Sequence, residues 1–132
     1  EANAIEPGKR MLSSMTPTFL ETKDRIAVLG TPGGSRIITM VLLATLEFHN
    51  GGSADDMVNR ARFHHQYLPD KIFFEHGVLT EALMKKMFEL GHDTEILDST
   101  YGNMHAIVMD KKSRQLDAAS DSRGSGSARV EH

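Results

Sequence analysis

The sharpest chemical feature of the sequence is the turn Gly30-Thr31-Pro32-Gly33-Gly34-Ser35, which follows an apolar run and precedes a long apolar segment. A glycine pair at the start of a helix lets the backbone approach a ligand closely, because no Cβ atom intervenes. The amides of Gly33, Gly34 and Ser35 would have no acceptor inside the helix, and the helix dipole adds to their positive field. Such a turn suits a phosphate, a carboxylate or the oxyanion of an acyl-transfer intermediate. A plain strand-to-helix connection uses the same residue types, so the residues alone leave both interpretations open.

A pair of adjacent hydroxyls, Ser13 and Ser14, follows Lys9-Arg10 and forms a second candidate site. Two hydroxyls in this setting could donate hydrogen bonds to a carboxylate. Nothing in the local sequence makes either serine a nucleophile, since no neighbouring histidine is implied. Serines are also ordinary loop residues, so this pair by itself predicts a loop.

The histidines do not predict a metal site. His64 and His65 are adjacent, so in a strand they point to opposite faces, and in a helix they lie about 100° apart. The other histidines show no spacing typical of metal ligands. The sequence has no cysteine, which excludes disulfides, thiol catalysis and cysteine-ligated zinc. We therefore expect His64 and His65 to serve packing and hydrogen bonding.

Composition limits the chain to one ordinary globular domain. It has 132 residues with 15 Lys+Arg and 18 Asp+Glu, so the net charge is 15 − 18 = −3. This weakly acidic balance argues against a general nucleic-acid binder. No apolar run approaches the ~18 residues that span a bilayer. The chain starts with a glutamate and shows no signal peptide, which indicates a processed precursor or a cut chain.

The pattern of apolar residues and turn signals predicts an α/β layer structure with mostly antiparallel strands. Residues 1–10 are interpreted as a linker or N-terminal loop, 11–120 as the folded portion, and 121–132 as a mobile tail rich in Ser, Gly and Arg. We predict strands over 15–20, 25–29, 71–75, 94–97, 104–109 and 115–119, and helices over 36–50, 53–60 and 81–90, with residues 62–70 irregular.

The helix predicted over 36–50 is apolar on two adjacent faces, which describes a helix buried on most of its circumference. The run 25–29 is likewise expected to be a buried strand, paired in a hairpin with the strand that contains Pro17. Ser53 and Thr80 are expected to cap the two later helices. A helix that needs cover on more than one side leads us to expect an exposed apolar face on this chain, and self-association of the isolated chain.

Five segments, taken in order along the chain, resemble signatures of the γ-glutamyltransferases (γ-glutamyltranspeptidases). They are Pro7–Pro17 (PGKRMLSSMTP), Gly30–Ile38 (GTPGGSRII), Arg62–Asp70 (RFHHQYLPD), Gly102-Asn103 with Ala106, and Ala118–Gly124 (AASDSRG). The resemblance covers nearly the whole chain. One departure is Ala61, where the family usually has a proline before the Arg-Phe-His-His run.

The resemblance implies that residues 11–120 are the C-terminal portion of the small-subunit domain. Members of this family are made as one precursor that cleaves itself into a large and a small subunit. The new N-terminal threonine of the small subunit is the nucleophile, and the fold is the four-layer αββα sandwich of N-terminal nucleophile hydrolases. On this interpretation the chain lacks the nucleophile and the large subunit, so we expect it to be inactive alone.

Site residues carry over by position. Ser13 and Ser14 fall on the family's serine pair, which binds the α-carboxylate of the γ-glutamyl donor. Gly33 and Gly34 fall on the glycine pair whose backbone amides form the oxyanion hole. The histidine pair carries no catalytic role. The resemblance implies no metal and no organic cofactor.

The resemblance also implies partners and a location. The substrate is a glutathione-like γ-glutamyl compound, whose acyl group passes to the threonine and then to water or an amino acid. The large subunit and the remainder of the small subunit are expected partners, nucleic acid is not, and family members are exported to the periplasm or cell surface. Two alternatives stay open, a related acylase such as a cephalosporin acylase and a non-catalytic anion-binding module. The serine pair favours a donor with an α-carboxylate.

Overall fold

The computed structural model describes residues 3–131. Its elements, in chain order, are β1 (Thr18–Glu21), β2 (Arg25–Gly30), a 3₁₀ turn (Gly34–Arg36), α1 (Ile37–His49), α2 (Ala54–Asn59), β3 (Phe63–His64), β4 (Ile72–Phe74), α3 (Glu81–Glu89), β5 (Thr94–Ile96), β6 (His105–Asp110) and β7 (Leu116–Ser120). The predicted order is confirmed, with one addition: β3 lies in the stretch predicted to be irregular. Within residues 3–131 no helix has the length and apolarity that crossing a membrane requires.

The larger of two sheets has the strand order β1-β2-β6-β7, and every pairing in it is antiparallel. The predicted hairpin of β1 and β2 is confirmed, with Thr18 opposite Leu29. β1 is an edge strand and begins directly after Pro17, three residues later than predicted, because proline offers no N–H to a sheet ladder. The smaller sheet has the order β3-β4-β5, and only its β4–β5 pairing is parallel. The prediction of mostly antiparallel strands is confirmed.

One face of the larger sheet is covered by helices and the other is not. Ala27 and Leu29 of β2 are buried against α1 and α2, in a core shared with Val108 of β6. The opposite face carries an apolar row that crosses all four strands at matched register, formed by Phe19, Val28, Ile107 and Ala118. Because that face has no covering layer within residues 3–131, Phe19 is 77% exposed. The expectation that the whole run 25–29 is buried is therefore wrong, since only alternate residues of a strand face one layer.

Helix α1 is covered on one side only. Its inner face buries Met40, Ala44 and Phe48, whereas Ile38, Leu42 and Leu46 form an outer stripe that is 63%, 51% and 46% exposed. Burial around most of the helix is thus wrong for residues 3–131, and the expected exposed apolar face is confirmed. The two faces differ because the sheet and α2 lie against one of them alone.

Local sequence signals set the ends of the shorter helices. The hydroxyl of Ser53 accepts from the Asp56 N–H, and the Asp56 carboxylate accepts from the Ser53 N–H, which completes a capping box on α2. The hydroxyl of Thr80 accepts from the Leu83 N–H at the start of α3. Both predicted caps are confirmed.

The chain that follows β7 is not a free tail from its first residue. Asp121 is 1% exposed, and its carboxylate pairs with the buried guanidinium of Arg62. Two residues later, Arg123 pairs with Glu75. The boundary predicted at residue 121 is therefore wrong, because a buried carboxylate with ion-pair partners belongs to the core. The folded portion continues at least to Arg123.

Candidate functional site

The glycine turn lies where it was predicted, between the end of β2 and the start of α1. Gly33 has φ of 148° and Gly34 has φ of 58°, values that favour glycine over residues with a side chain. A methyl group added at Gly34 would meet nothing within 4 Å. Open space beside the backbone is what a ligand needs in order to approach the amide.

The backbone donors of the two glycines are unused. The carbonyl of Gly33 accepts from the Arg36 N–H at 3.1 Å, and the carbonyl of Gly34 accepts from the Ile37 N–H. Neither the Gly33 nor the Gly34 N–H donates to an acceptor within residues 3–131. The two glycine carbonyls therefore accept the first hydrogen bonds of the helix, and the two adjacent N–H groups remain available to donate to an anion.

The serine pair lies in the extended segment that leads into β1. Ser13 is exposed and Ser14 is half-buried. The β1–β2 register pairs residues whose numbers sum to 47, such as Thr18 and Leu29. The β1–β2 pairing ends at Thr18 and Leu29, so residues before Thr18 and residues after Gly30 continue from the same end of the hairpin. The serine pair and the glycine pair therefore leave the hairpin at the same end.

Five cavities of residues 3–131 are lined by residues other than Ser13, Ser14, Gly33 and Gly34. The largest, about 640 Å³, lies between α1, the smaller sheet and α3 and has a mainly apolar lining that includes Leu43, Phe63, Phe74 and Met87. We place the candidate site at the glycine turn rather than in this cavity, because the turn carries the unused polar donors. The roles assigned to the serines and glycines stay predictions.

The strand side of the turn is fixed by β6 and by the segment before it. Gly30 pairs with His105, and the hydroxyl of Thr31 accepts from the Asn103 N–H at 3.3 Å. The guanidinium of Arg36 lies 4.6 Å from the ring centroid of Tyr101, in a cation–π contact. These contacts hold the turn against residues 101–105, which include the Gly102-Asn103 pair quoted for the resemblance.

The helix side of the turn is tied to the segment after β3 by a chain of hydrogen bonds. The Ser35 hydroxyl donates to Gln66 Oε1 at 2.6 Å, and the same oxygen lies 2.9 Å from His64 Nε2. Nδ1 of His64 lies 2.6 Å from Thr39 Oγ1. His64 is 3% exposed, whereas His65 faces outward and contacts Asp70. Packing and hydrogen bonding, the role expected for this pair, is confirmed for His64.

A buried cluster of four charges lies behind the site and joins distant parts of the chain. Arg62 Nη2 lies 2.5 Å from Asp121 Oδ2, and Arg123 Nη1 lies 3.1 Å from Asp121 Oδ1. Arg123 Nη2 lies 2.6 Å from Glu75 Oε2. Arg62 also donates to the carbonyl of Tyr101, so the cluster supports the segment that contacts the turn.

Electrostatics inside this cluster favour the ionised forms. Burial raises the pKa of Asp121, but N–H groups of Met104 and Arg123 and the Arg62 and Arg123 guanidinium groups lower it below its ordinary value. Burial lowers the pKa of Arg123, and its bonds to Glu75 and Asp121 raise it above the ordinary value. The Asp121 carboxylate therefore keeps its charge to a lower pH than an ordinary aspartate does.

Sequence reasoning assigned no role to this cluster. The sequence does contain a sign of this cluster, because Arg62, Asp121 and Arg123 all lie in segments quoted for the resemblance. A buried arginine also needs an anionic partner. What the sequence could not show is which carboxylate meets which arginine across 59 residues. Among residues 3–131 no group of three or more His, Cys, Asp or Glu side chains could hold a metal ion.

The family described as Gamma-glutamyltranspeptidase matches residues 1–130. The chain is 40% identical to a glutathione hydrolase proenzyme of Pseudomonas aeruginosa, over 96% of this chain and 23% of that protein. It is 38% identical to the glutathione hydrolase proenzyme of Escherichia coli, over 93% of this chain and 21% of that protein. The chain thus spans less than a quarter of the length of these curated relatives.

A solved structure shares the fold. The gamma-glutamyltranspeptidase of Pseudomonas nitroreducens complexed with L-DON matches with a TM-score of 0.81 and 37% identity, over 100% of this chain and 69% of that chain. Agreement at this level confirms the predicted fold class, a part of the αββα sandwich of N-terminal nucleophile hydrolases.

Proposed function

The chain belongs to the gamma-glutamyltranspeptidase family, and from that premise we propose that it supplies two parts of the active site of a γ-glutamyltransferase. In this proposal the N–H groups of Gly33 and Gly34 bind the oxyanion, and the hydroxyls of Ser13 and Ser14 bind the α-carboxylate of the donor. The single observation that carries the proposal is the pair of adjacent glycine amides without acceptors, at the end of the hairpin to which the serines also lead.

Dimensions of the donor support this assignment. Four C–C bonds of about 1.5 Å separate the α-carboxylate carbon of a γ-glutamyl group from its γ-carbonyl carbon, which gives a span of about 5 Å. Residues opposite each other on neighbouring strands have Cα atoms about 4.5–5.5 Å apart. The paired strand ends Thr18 and Leu29 are neighbours of this kind, and the serine pair and the glycine pair each lie four or five residues beyond them along the chain. In this proposal one γ-glutamyl group bridges the two segments that continue from the paired ends.

The proposed reaction is acyl transfer to a threonine that lies outside these 132 residues. The threonine hydroxyl attacks the γ-amide carbonyl, and its own α-amine takes the hydroxyl proton. The carbonyl oxygen becomes an oxyanion, to which Gly33 and Gly34 donate. Collapse of this intermediate breaks the amide bond, and the leaving amine takes the proton. Water or an amino acid then attacks the acyl-threonine and releases the γ-glutamyl group.

Preorganised amides make this turn suitable for the task. Donors that already point at the position of the developing charge require no reorganisation during the reaction, and the loss of one costs about 2.7–4 kcal/mol in comparable sites. Both amides belong to a turn fixed at one end by β2 and at the other by α1. The rest of the small subunit and the large subunit would complete the site, and we extend the proposal to a periplasmic or cell-surface location for the whole protein.

The donor contact can be tested in the whole protein with the double variant Ser13→Ala/Ser14→Ala. Hydrogen bonds to charged groups are worth about 1.5–3 kcal/mol, so we expect kcat/KM for a γ-glutamyl anilide to fall about 10–100-fold, mainly through KM. A second donor with its α-carboxylate converted to an amide should be a poor substrate of the parent, and the variant should discriminate little between the two donors.

A matched control is Ser113→Ala, which removes a hydroxyl from the β6–β7 turn at the opposite end of the sheet. This variant should keep the kinetics of the parent. An unchanged KM in the double variant, together with undiminished discrimination between the two donors, would remove the serines from the site. A whole protein that binds γ-glutamyl compounds without turnover would instead indicate an anion-binding module.

A further inference from the structure

We propose that His64 and Gln66 are positioning residues, which hold the first turn of α1 so that the Gly33 and Gly34 amides stay aimed at the oxyanion. This inference rests on the proposed function and extends it to residues that touch neither substrate nor nucleophile. It starts from the hydrogen-bonded chain Ser35–Gln66–His64–Thr39, which we call the helix bracket.

The directions of the bonds in the helix bracket follow from the Gln66 amide. Its Nε2 donates to the Leu68 carbonyl at 3.0 Å, so its Oε1 is the atom that faces Ser35 and His64. An amide oxygen can only accept, and therefore Nε2 of His64 carries a proton. On its other side, Nδ1 lies 2.6 Å from the Thr39 hydroxyl, which also lies 3.1 Å from the Arg36 carbonyl. Each ring nitrogen has a partner, which fixes the orientation of the buried ring.

The helix bracket spans the first turn of the helix. Ser35 lies in the 3₁₀ turn and Thr39 lies in the first turn of α1, so the helix bracket joins the two consecutive elements. His64 and Gln66 join them from outside the helix, and Ser35 directly follows Gly34. A displacement of Ser35 would therefore move the Gly34 peptide with it.

Contrast with the other two helices shows why such a bracket is needed. α2 and α3 begin with the side-chain caps of Ser53 and Thr80. Within the described residues no side chain caps the 3₁₀ turn or α1, and neither has an acidic residue in its first turn. The cap position of the 3₁₀ turn is Gly33, which has no side chain that could accept from the helix N–H groups. The helix bracket restrains this helix start in place of a cap and uses neither the Gly33 nor the Gly34 N–H.

The test uses three variants of the whole protein, assayed for kcat and for KM with a γ-glutamyl donor. Gln66→Leu and Ser35→Ala break the helix bracket, and Ser35→Thr keeps a hydroxyl in place. Because misplacement of a reacting group by about 1 Å can cost about 100-fold, we expect kcat to fall about 10–100-fold in the first two. KM should stay within about twofold, and Ser35→Thr should recover most of the rate.

The matched control is His65→Ala, which removes the neighbouring exposed imidazole and should leave kcat unchanged. Thermal unfolding of each variant separates loss of fold from loss of alignment, and Ser35 is itself exposed, so Ser35→Ala should stay folded. Unchanged kcat in Ser35→Ala and Gln66→Leu would overturn the inference, as would a change confined to KM or an equal loss in His65→Ala. Failure of the proposed function is distinguishable, because Gly34→Pro would then also leave kcat unchanged.

Discussion

Substitution of Gly34 tests the oxyanion assignment most directly, and two replacements separate the donor from the backbone conformation. Gly34→Ala keeps the N–H and places its Cβ where nothing lies within 4 Å. The substitution therefore destabilises the fold only through the strain of an alanine at the left-handed φ of 58°. That conformation costs an L-residue about 1–2 kcal/mol. Gly34→Pro removes the N–H itself and also forces φ to about −65°.

The two variants should therefore differ in their effects on stability and on kcat. We expect Gly34→Ala to unfold at a lower temperature than the parent but to keep kcat within about 30-fold, because a backbone strain of about 1–2 kcal/mol corresponds to a factor of about 5–30 in rate. Gly34→Pro should lose about 10²–10³ in kcat or more, as the loss of one oxyanion donor does elsewhere.

The assay is turnover of a γ-glutamyl anilide by the whole protein, with precursor cleavage followed on a denaturing gel and folding followed by thermal unfolding. Both variants should be compared as cleaved, folded protein, since uncleaved precursor would be inactive for a different reason. Near-normal kcat in folded Gly34→Pro would mean that the oxyanion is bound elsewhere. An equal loss in Gly34→Ala would assign the effect to backbone conformation rather than to the missing donor.

Three further predictions concern activity, assembly and pH. The isolated chain should not turn over a γ-glutamyl anilide above a blank, because the threonine and most donor contacts are expected to lie outside it; turnover by the pure chain would refute the positional assignment. The isolated chain should also self-associate through the outer stripe of α1 or the apolar row on the sheet, and a strictly monomeric species by light scattering at high concentration, with cooperative unfolding, would count against this. The pKa of Asp121 is lowered in the fold, so the stability it contributes is complete above the ordinary carboxyl pKa of about 3.9 and is lost as pH falls through the lower folded pKa. Urea midpoints of the whole protein between pH 5 and pH 2 should fall more steeply than those of Asp121→Asn, and parallel curves would contradict the ion pair.

Elements with strong local signals were predictable from the sequence. The apolar run of β2 and its closing glycine, the caps Ser53 and Thr80, and the long apolar helix are all encoded within a few residues of where they act. β3 was not, because two residues form a strand only when β4 is present to pair with them. Whether an apolar face is covered was also beyond local reasoning, since that depends on which other segments pack there.

In the candidate site, too, some features were predictable from the local sequence and others were not. Positive φ and unused amides at Gly33 and Gly34 follow from residue type and position at a helix start, so the donors could be predicted. Their relation to Ser13 required the strand register, which the sequence does not specify. The hydrogen bonding of His64 was predictable but its partners, Thr39 and Gln66, were not, because they are ordinary polar residues that become informative only when their distances are known.

The charge cluster behind the site bears on the order in which the chain can complete its fold during synthesis. Arg62 is buried, and its carboxylate partner Asp121 emerges from the ribosome 59 residues later. A buried charge without its partner costs about 3–5 kcal/mol, so a nascent chain that stops before Asp121 cannot close its core around Arg62 without that loss. The core around Arg62 should therefore close only after the residues that follow β7 have been synthesised. A ribosome-stalled chain should gain protease resistance only once Asp121 and Arg123 have left the exit tunnel.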